Sequence, residues 1–385
     1  MRNLSREDGF TIVEMMVSTA VILLVLGGAL QTFKDSLAIN DSAAQLADAN
    51  QNLRAGTNQL IRDLMMAGRI IGTEGIAMPT GSGISFARPG PTNLNFDMVA
   101  DTDATLQLPS ITTGYHLGPT IDNSTTDIIT IMTVDEFMPV VATPVTVVNS
   151  PAQATISADG TYVQFAAASQ WIDGDTVNDT PKIKVGDLVL YVGVNGNAIQ
   201  TVTSIDLVQH RINFASGDAV NDFFHFNQPS ATVQAAGTGR PLAVLKDPTL
   251  TLTAAQAWQV APSTTPVTLF KALMITYYVD NTTTPGTPRL TRVLNHFTPQ
   301  ALAGVVEDLD LTYDLYDGSV NPTSVTGFPY SLSGVAYSES QIRKVNLHVG
   351  VRSETLSKPL QDYIRNHITT SVNVRSLAAV DKYPS

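Results

Sequence analysis

One carboxylate stands inside a long apolar segment near the start of the chain. Between Phe10 and Leu30 the only charged side chain is that of Glu14. A charge inside a membrane-spanning helix costs roughly 2.5–3.5 kcal/mol on insertion scales, so Glu14 needs a partner. Gly9 directly precedes the segment, and cleavage after Gly9 would make the cationic amine of Phe10 the new N-terminus. Phe10 and Glu14 lie about 6 Å apart along a helix axis, which favours a pair between this amine and the carboxylate of a neighbouring chain.

The apolar segment is long enough to cross a membrane once. As a helix it covers about 31 Å, close to the ~30 Å hydrocarbon core of a bilayer. The residues Gly27-Gly28-Ala29 are a poor match to the motif that follows a secretory signal, whereas Gly9 stands ahead of the segment. A cut at Gly9 would keep the apolar segment in the mature chain. Its orientation depends on Arg2, Arg6 and the amino terminus.

Gly9, the run FTIVE that begins at Phe10 and the apolar stretch behind it resemble the processing motif of type IV prepilins. In that family a prepilin peptidase cuts after the glycine, the new first residue is N-methylated and the glutamate guides subunit docking. The resemblance implies these roles for Gly9, Phe10 and Glu14. It also implies other minor and major pilins as partners, and a single pass of the inner membrane, with the head outside the cytoplasm, before transfer to the pilus at the cell surface. The residues alone leave open a plain signal anchor that tolerates Glu14.

The helical pattern continues beyond the apolar segment, with no proline before Pro79. We expect one helix from Phe10 to about Met66, on the order of 85 Å long, whose second half is covered by a globular head. The residues predicted to face that head recur at helical spacing: Leu46, Leu53, Thr57, Leu60, Ile61 and Leu64. Three glycines mark places where the helix is expected to bend: Gly27, Gly28 and Gly56.

Apolar and polar residues alternate in many later segments, which predicts β-strands. The clearest predicted strands are 127–134, 184–194, 270–279, 289–293, 309–315, 345–351 and 368–374. The predicted fold is α+β and pilin-like: a long N-terminal transmembrane helix packs on an antiparallel β-sheet, with a large inserted β-rich lobe. The predicted parts are a leader (1–9), a transmembrane and assembly helix (10–30), an amphipathic continuation (31–70), a connector (71–117), the inserted lobe (118–262) and the pilin-like sheet (263–385).

The segment 58–69, with the sequence NQLIRDLMMAGR, resembles the end of the first helix in PilW-type minor pilins and in J-type pseudopilins of type II secretion systems. Residues 185–190, 304–317 and 368–377 are similar to the PilW type. The resemblance implies a structural, non-enzymatic minor pilin that acts in pilus assembly, at or near the tip. Two alternatives stay open: a J-type pseudopilin, and a membrane-tethered adhesin or enzyme with its site in the inserted lobe.

Composition excludes several classes of function. The net charge of −12 argues against nucleic-acid binding, which needs a dense positive patch. The absence of cysteine excludes thiolate nucleophiles, disulfides and Cys-type metal sites. The signatures of nucleophile elbows, P-loops, zincins and dinucleotide sites are also absent, so we expect no cofactor.

Three sets of polar residues are candidate sites. The oxygen-rich residues Asp173, Asp175, Asn178 and Asp179 could supply ligands to Ca²⁺, but they lack EF-hand spacing, and we expect a solvated turn there. The row Asp308, Asp310 and Asp314 is expected on the solvated face of a strand. The histidines are scattered singly and are expected to be structural or surface residues: His116, His210, His225, His296, His348 and His367.

Overall fold

The structure is a computed structural model that describes most of the chain. It covers residues 10–71, 75–78, 86–91, 94–96, 107–144, 154–156, 161–165, 183–193, 196–215, 218, 220–227, 267–316, 320–357 and 361–374. The leader before Phe10 and the calcium candidate at 173–179 lie outside these residues.

One long α-helix is followed by strands. The helix α1 spans Ile12–Met66. The strands are β1 (Ile76–Ala77), β2 (Gln107–Leu108), β3 (Ile111–Gly114), β4 (Thr120–Ile121), β5 (Ser124–Thr125), β6 (Ile128–Pro144), β7 (Ala154–Ile156), β8 (Tyr162–Phe165), β9 (Leu188–Gly193), β10 (Gly196–Thr201), β11 (Ser204–Asp206), β12 (Arg211–Asn213), β13 (Val267–Asp280), β14 (Arg289–Leu294), β15 (Gln300–Leu315), β16 (Tyr330–Leu332), β17 (Val335–Tyr337), β18 (Ile342–Arg352) and β19 (Arg365–Asn373). A 3-10 helix at Glu339–Gln341 precedes β18. The predicted α+β class is confirmed.

The predicted single helix is confirmed, and it is about 82 Å long at 1.5 Å per residue. It passes through Gly27 and Gly28 without interruption. The chain leaves the helix at Ala67, and Gly68 follows with a φ of +72°, where its N–H donates to the carbonyl of Met132 on β6. The end of α1 is therefore fixed to the sheet.

The second half of α1 packs on the sheet formed by β15, β18 and β19. Its buried residues recur every three or four positions: Ala49, Leu53, Gly56, Thr57, Leu60, Asp63 and Leu64. The predicted contact of this face with the head is confirmed, although Leu46 at its upper end is still 39% exposed. Gly56 serves close approach, since a Cβ there would lie 2.8 Å from the Cβ of Ala303 on β15.

Thirteen of the described strands form one sheet. Its main order is β11-β12-β8-β7-β6-β13-β14-β15-β18-β19, and β3, β9 and β10 pair outside this path. All pairs of this sheet are antiparallel except β6 with β7, which is parallel. The predicted antiparallel sheet is confirmed.

Two long strands carry the sheet from the part next to α1 into the lobe. β6 and β13 pair from Ile129↔Tyr277 to Ala142↔Val267. On its other side, β13 pairs first with β9 and then with β14. Strands on both sides of residue 262 therefore belong to one sheet, while the limits proposed for the lobe stay a prediction.

A buried carboxylate joins α1 to two strands. The side chain of Asp63 is 1% exposed, and its Oδ2 accepts hydrogen bonds from Tyr277 Oη at 2.6 Å and from Arg292 Nε at 2.8 Å. Its Oδ1 accepts from Gln59 Nε2 at 3.1 Å. Burial, together with the charge of Asp63, raises the pKa of Tyr277 well above its ordinary value, so the phenol keeps its proton. Asp63 therefore ties the last turns of the helix to β13 and β14.

A second buried carboxylate, in the lobe, gives a pH dependence of stability. Asp222 is 1% exposed and accepts hydrogen bonds from the N–H groups of Phe226 and Asn227. Burial raises the pKa of Asp222 to about 7 from an ordinary value of 3.8. The folded chain therefore holds this proton more tightly than the unfolded chain, and the resulting stabilisation is present below about pH 4 and lost as pH rises through about 7.

We expect Asp222→Asn to flatten this dependence. At ~1.4 kcal/mol per pH unit between the two pKa values, the carboxyl contributes about 4 kcal/mol less at pH 8 than at pH 4. Urea unfolding of the full chain in detergent, followed at both pH values, measures this difference for the wild type and the variant. Asp218→Asn is the matched control, because Asp218 lies in the same loop and its pKa is lowered by hydrogen bonds from the loop's own N–H groups. Equal pH slopes in Asp222→Asn and the wild type would contradict the expectation.

Candidate processing and assembly site

The helix begins immediately after the predicted cleavage point. Phe10 and Thr11 precede the first helical residue, Ile12, and Thr11 is the N-cap with extended backbone angles. Gly9 lies outside the described residues. Cutting the chain before Phe10 therefore removes no residue of α1 and leaves its cap in place.

Glu14 closes a capping box with Thr11. The Oγ1 of Thr11 accepts from the N–H of Glu14 at 3.2 Å, and the Oε2 of Glu14 accepts from the N–H of Thr11 at 3.0 Å. Thr11 Oγ1 also lies 3.0 Å from the same carboxylate oxygen and donates to it. Two amide groups at the start of the helix are thereby satisfied. The carboxylate is also held in one position at the end of the apolar segment.

This role of Thr11 was missed by the sequence analysis, although its signal is present. A Ser or Thr followed three residues later by Glu, ahead of an apolar run, is the pattern of a capping box. Thr11 and Glu14 have that spacing. The residues around Glu14 predict cleavage and charge pairing, and the spacing of Thr11 and Glu14 also predicts the start of the helix.

We expect Thr11→Val to loosen the first turn of α1. The substitution keeps the shape of the side chain and removes both hydrogen bonds of its hydroxyl, at a cost of about 1 kcal/mol. Amide exchange at residues 12–15, measured by NMR on the full chain in detergent micelles, should become ~5-fold faster. Thr19→Val is the control, because Thr19 only donates to the carbonyls of Met15 and Met16 within the helix. Unchanged exchange at Glu14 in Thr11→Val would mean that the capping box does not form.

The first half of α1 has an uncovered apolar surface. Every residue from Phe10 to Leu37 is exposed, Phe10 by 84%, and Ala49 is the first described residue that is buried. This part is long and apolar enough to cross a membrane, and none of it is buried against the described remainder of the chain. Within this surface Glu14 is the only charged residue up to Leu30. Between Phe10 and Leu30 the helix therefore leaves a large apolar face and one carboxylate for an environment outside the monomer.

The other predicted polar sets lie far from this end or outside the described residues. Asp173, Asp175, Asn178 and Asp179 are outside them, so the solvated turn expected there stays a prediction, with calcium binding as its alternative. Among the described residues, no group of three or more His, Asp or Glu side chains is arranged to hold a metal ion.

The aspartate row of β15 lies on the sheet face opposite α1. Asp308 Oδ2 is 3.5 Å from His348 Nε2, and Asp314 Oδ2 is 3.0 Å from Lys344 Nζ. These carboxylates are half-buried and paired, which is more than the solvated row that the sequence predicts; burial raises the pKa of Asp308. His348 and His367 lie on neighbouring strands with ring centroids 5.2 Å apart, a proximity that their distance along the chain conceals.

Comparison with protein families bears on the N-terminal end alone. Residues 4–30 match the family model of the prokaryotic N-terminal methylation motif. This range contains Gly9, the N-cap Thr11 and Glu14, and it ends where the apolar segment ends. Searches among curated proteins and among solved structures found no match to the chain.

Proposed function

We propose that this chain, which carries a type IV prepilin-like N-terminus, is a structural, non-enzymatic minor pilin of the PilW type in a type IV pilus. A prepilin-type motif implies processing by a prepilin peptidase and assembly with pilin partners. In the proposal, the peptidase cuts after Gly9, Phe10 is N-methylated and Glu14 guides docking. The observation that carries it is the uncovered apolar segment from Phe10 to Leu30, whose single carboxylate is that of Glu14 and which ends where the matched range ends.

The exposed half of α1 can be buried in two environments in succession, first the lipid bilayer and then the filament. Before assembly, the apolar surface from Phe10 to Leu30 is covered by lipid, and the head is outside the cytoplasm. In the filament, the same surface packs among similar helices of other subunits. Apolar contact is favourable in both places, so transfer between them requires little free energy and contact area alone does not fix the axial register.

Glu14 supplies that register. In the monomer its carboxylate is exposed, and the described hydrogen bonds to it come from Thr11. Cleavage after Gly9 creates an amine on Phe10, and a chain offset along the axis brings that amine to the Glu14 of its neighbour. The pair removes an unmatched charge from an apolar environment, which favours one axial offset over others.

The long continuous helix and the large sheet suit a subunit that assists assembly at or near the tip. The sheet extends from α1 through β6 and β13 into the lobe, so the lobe is joined to the helix by continuous strands. A large lobe is accommodated most easily where no further subunit stacks above it. The lobe would then face partner pilins or an external surface.

Sheared pili from a wild-type strain and from a strain lacking this gene test the proposal. We expect the processed chain in the pilus fraction, in small amounts relative to the major pilin, and far fewer pili in the deletion strain. Normal pili without this chain, together with a loss of type II secretion, would replace the proposal by the J-type pseudopilin. Normal pili and normal secretion would contradict both and leave the membrane-tethered adhesin or enzyme.

A further inference from the structure

An amine and a carboxylate meet where the predicted lobe (118–262) joins β13, away from the N-terminal site. Lys271 of β13 places Nζ 2.6 Å from Oδ2 of Asp187, which lies in the turn before β9. The side chain of Asp187 is 1% exposed and that of Lys271 is 15% exposed. Oδ2 is bonded to the carboxyl carbon, so Nζ is at most about 3.8 Å from that carbon, near the ~3–3.5 Å of a near-attack geometry.

The carboxylate is held from both sides. Its Oδ2 accepts from the N–H of Lys184 at 2.7 Å, and its Oδ1 accepts from Nδ2 of Asn295 at 3.4 Å. Asn295 is fully buried, and its own Oδ1 accepts from the N–H of Met274 at 2.9 Å. Gly186 lets the turn approach this position, because its φ is +89° and a Cβ would overlap the ring of His296. The orientation of Asp187 is thus fixed by backbone and buried amide groups.

A second carboxylate lies opposite Lys271 on the neighbouring strand. Asp135 of β6 is the residue opposite Lys271 in the β6–β13 register. Side chains of directly opposite residues emerge on the same face of a sheet, with Cβ atoms ~5 Å apart. The register between these strands shifts between Leu269 and Lys271, an irregularity of the kind that redirects a side chain. Lys271 therefore lies at ion-pair distance from Asp187 and on the same face of the sheet as Asp135, and burying charges away from water in this way is costly.

We propose that Lys271 and Asp187 condense to an isopeptide bond in the folded chain. Asp135 accepts a proton from the Lys271 ammonium, and the free amine attacks Cγ of Asp187. The new C–N bond forms, the bond from Cγ to Oδ2 breaks, and Oδ2 leaves as water. Both protons of that water come from the ammonium, one of them through Asp135, which ends as the carboxylate it was. The reaction consumes no other reagent.

The surroundings supply what the step requires. Negative charge develops on Oδ1 as the amine attacks, and Asn295 Nδ2 already donates to that oxygen. The amine of Lys271 and the carboxyl group of Asp187 are already held in contact, so they need not meet by collision. This lowers the activation free energy by several kcal/mol. The product removes two buried charges, so the low exposure of Asp187 favours the amide over the ion pair.

The bond would join the turn before β9 to the strand that runs on to β14. β13 pairs with β9 through Thr268 to Ala272 and with β14 through Ile275 to Asp280. A covalent link at Lys271 would therefore secure the lobe to a strand that continues beside α1. This inference is independent of the proposed function, because it concerns the joint between the lobe and β13 and not the N-terminal segment.

Peptide mass spectrometry of the full chain, purified from membranes and denatured, tests the proposal. In the linked chain trypsin does not cut after Lys271, and we expect a branched peptide that joins residues 185–211 to residues 247–289. Its mass should be lower than the sum of the two linear peptides by one water molecule. Recovery of unmodified linear peptides, with cleavage after Lys271 in nearly all molecules, would overturn the proposal. This measurement uses the wild-type chain alone.

Variants assign the roles. Lys271→Arg should remove the branched peptide, whereas Lys184→Arg should keep it, because Lys184 contributes its backbone N–H. Asp135→Asn should slow the linking of freshly refolded chain by ~100-fold or more, as expected for loss of a proton acceptor. Linking at the wild-type rate in Asp135→Asn would overturn the role of Asp135. A branch from Lys271 to Asn295 with loss of ammonia would overturn the choice of Asp187.

Discussion

Glu14→Ala is expected to leave the chain in the membrane and to remove it from pili. The substitution deletes the only charge of the segment up to Leu30, so insertion into lipid becomes easier. It also deletes the group proposed to pair with the amine of a neighbouring chain. An ion pair worth ~1.4 kcal/mol or more in the filament core corresponds to a tenfold or larger fall in incorporation. Immunoblots of membrane and sheared-pilus fractions measure both effects.

Thr19→Val is the matched control for this experiment. Thr19 lies one to two turns further along α1, and its hydroxyl is satisfied by the carbonyls of Met15 and Met16. The variant changes a polar side chain of the same exposed segment without removing a charge, so we expect wild-type incorporation. If Glu14→Ala enters pili as well as Thr19→Val does, Glu14 has no docking role.

Asp63→Ala is expected to destabilise the head by about 3–5 kcal/mol. The substitution leaves the guanidinium of Arg292 without the carboxylate 2.8 Å away and removes the acceptor of the Tyr277 hydroxyl. Removing one partner of a buried ion pair typically costs this much, because the remaining charge stays buried and uncompensated. Urea unfolding of the full chain in detergent, followed by circular dichroism of the strands, gives the change in free energy.

Asp48→Ala controls for the loss of an acidic residue from the same helix. Asp48 is exposed, so its removal should change stability by less than ~0.5 kcal/mol. Adding Arg292→Met to Asp63→Ala should recover part of the loss, since the unpaired charge is then gone. Equal stabilities of Asp63→Ala and Asp48→Ala would contradict the role of Asp63 as an anchor.

The helix was predictable because its determinants are local. An apolar run without proline continues into positions spaced by three and four residues, and Leu53, Leu60 and Leu64 face the head as that spacing predicts. The strands were predictable for the same reason: β15 alternates buried and partly exposed residues along most of its length. Period and composition determine an element without reference to the rest of the chain.

The pairing of distant strands was not predictable in this way. β6 and β13 pair although more than a hundred residues separate them, and β6 and β7 are parallel, against the pattern of the remaining sheet. Asp63 lies within the predicted helix, but its partner Tyr277 is 214 residues away. The same limit applies to His348 and His367, and to Lys271 with Asp187. Each contact depends on which strands and helices lie next to each other in the fold, and no local sequence pattern indicates that arrangement.

At the N-terminal site, residue types and spacing predicted most of the features that the structure shows. The exposed apolar helix with one carboxylate was expected, and Thr11 as its cap follows from a spacing visible in the sequence. The proposed partner of Glu14 belongs to another chain and exists only after cleavage. Neither the sequence nor the fold of a single chain can contain that pair.

The N-terminus of the mature protein tests the central claim most directly. Mass spectrometry of the chain from membranes or from pili should find residues 1–9 removed and one methyl group on the amine of Phe10. A chain from assembled pili that still begins with Met1, or a cut at any bond other than the one after Gly9, would contradict the account.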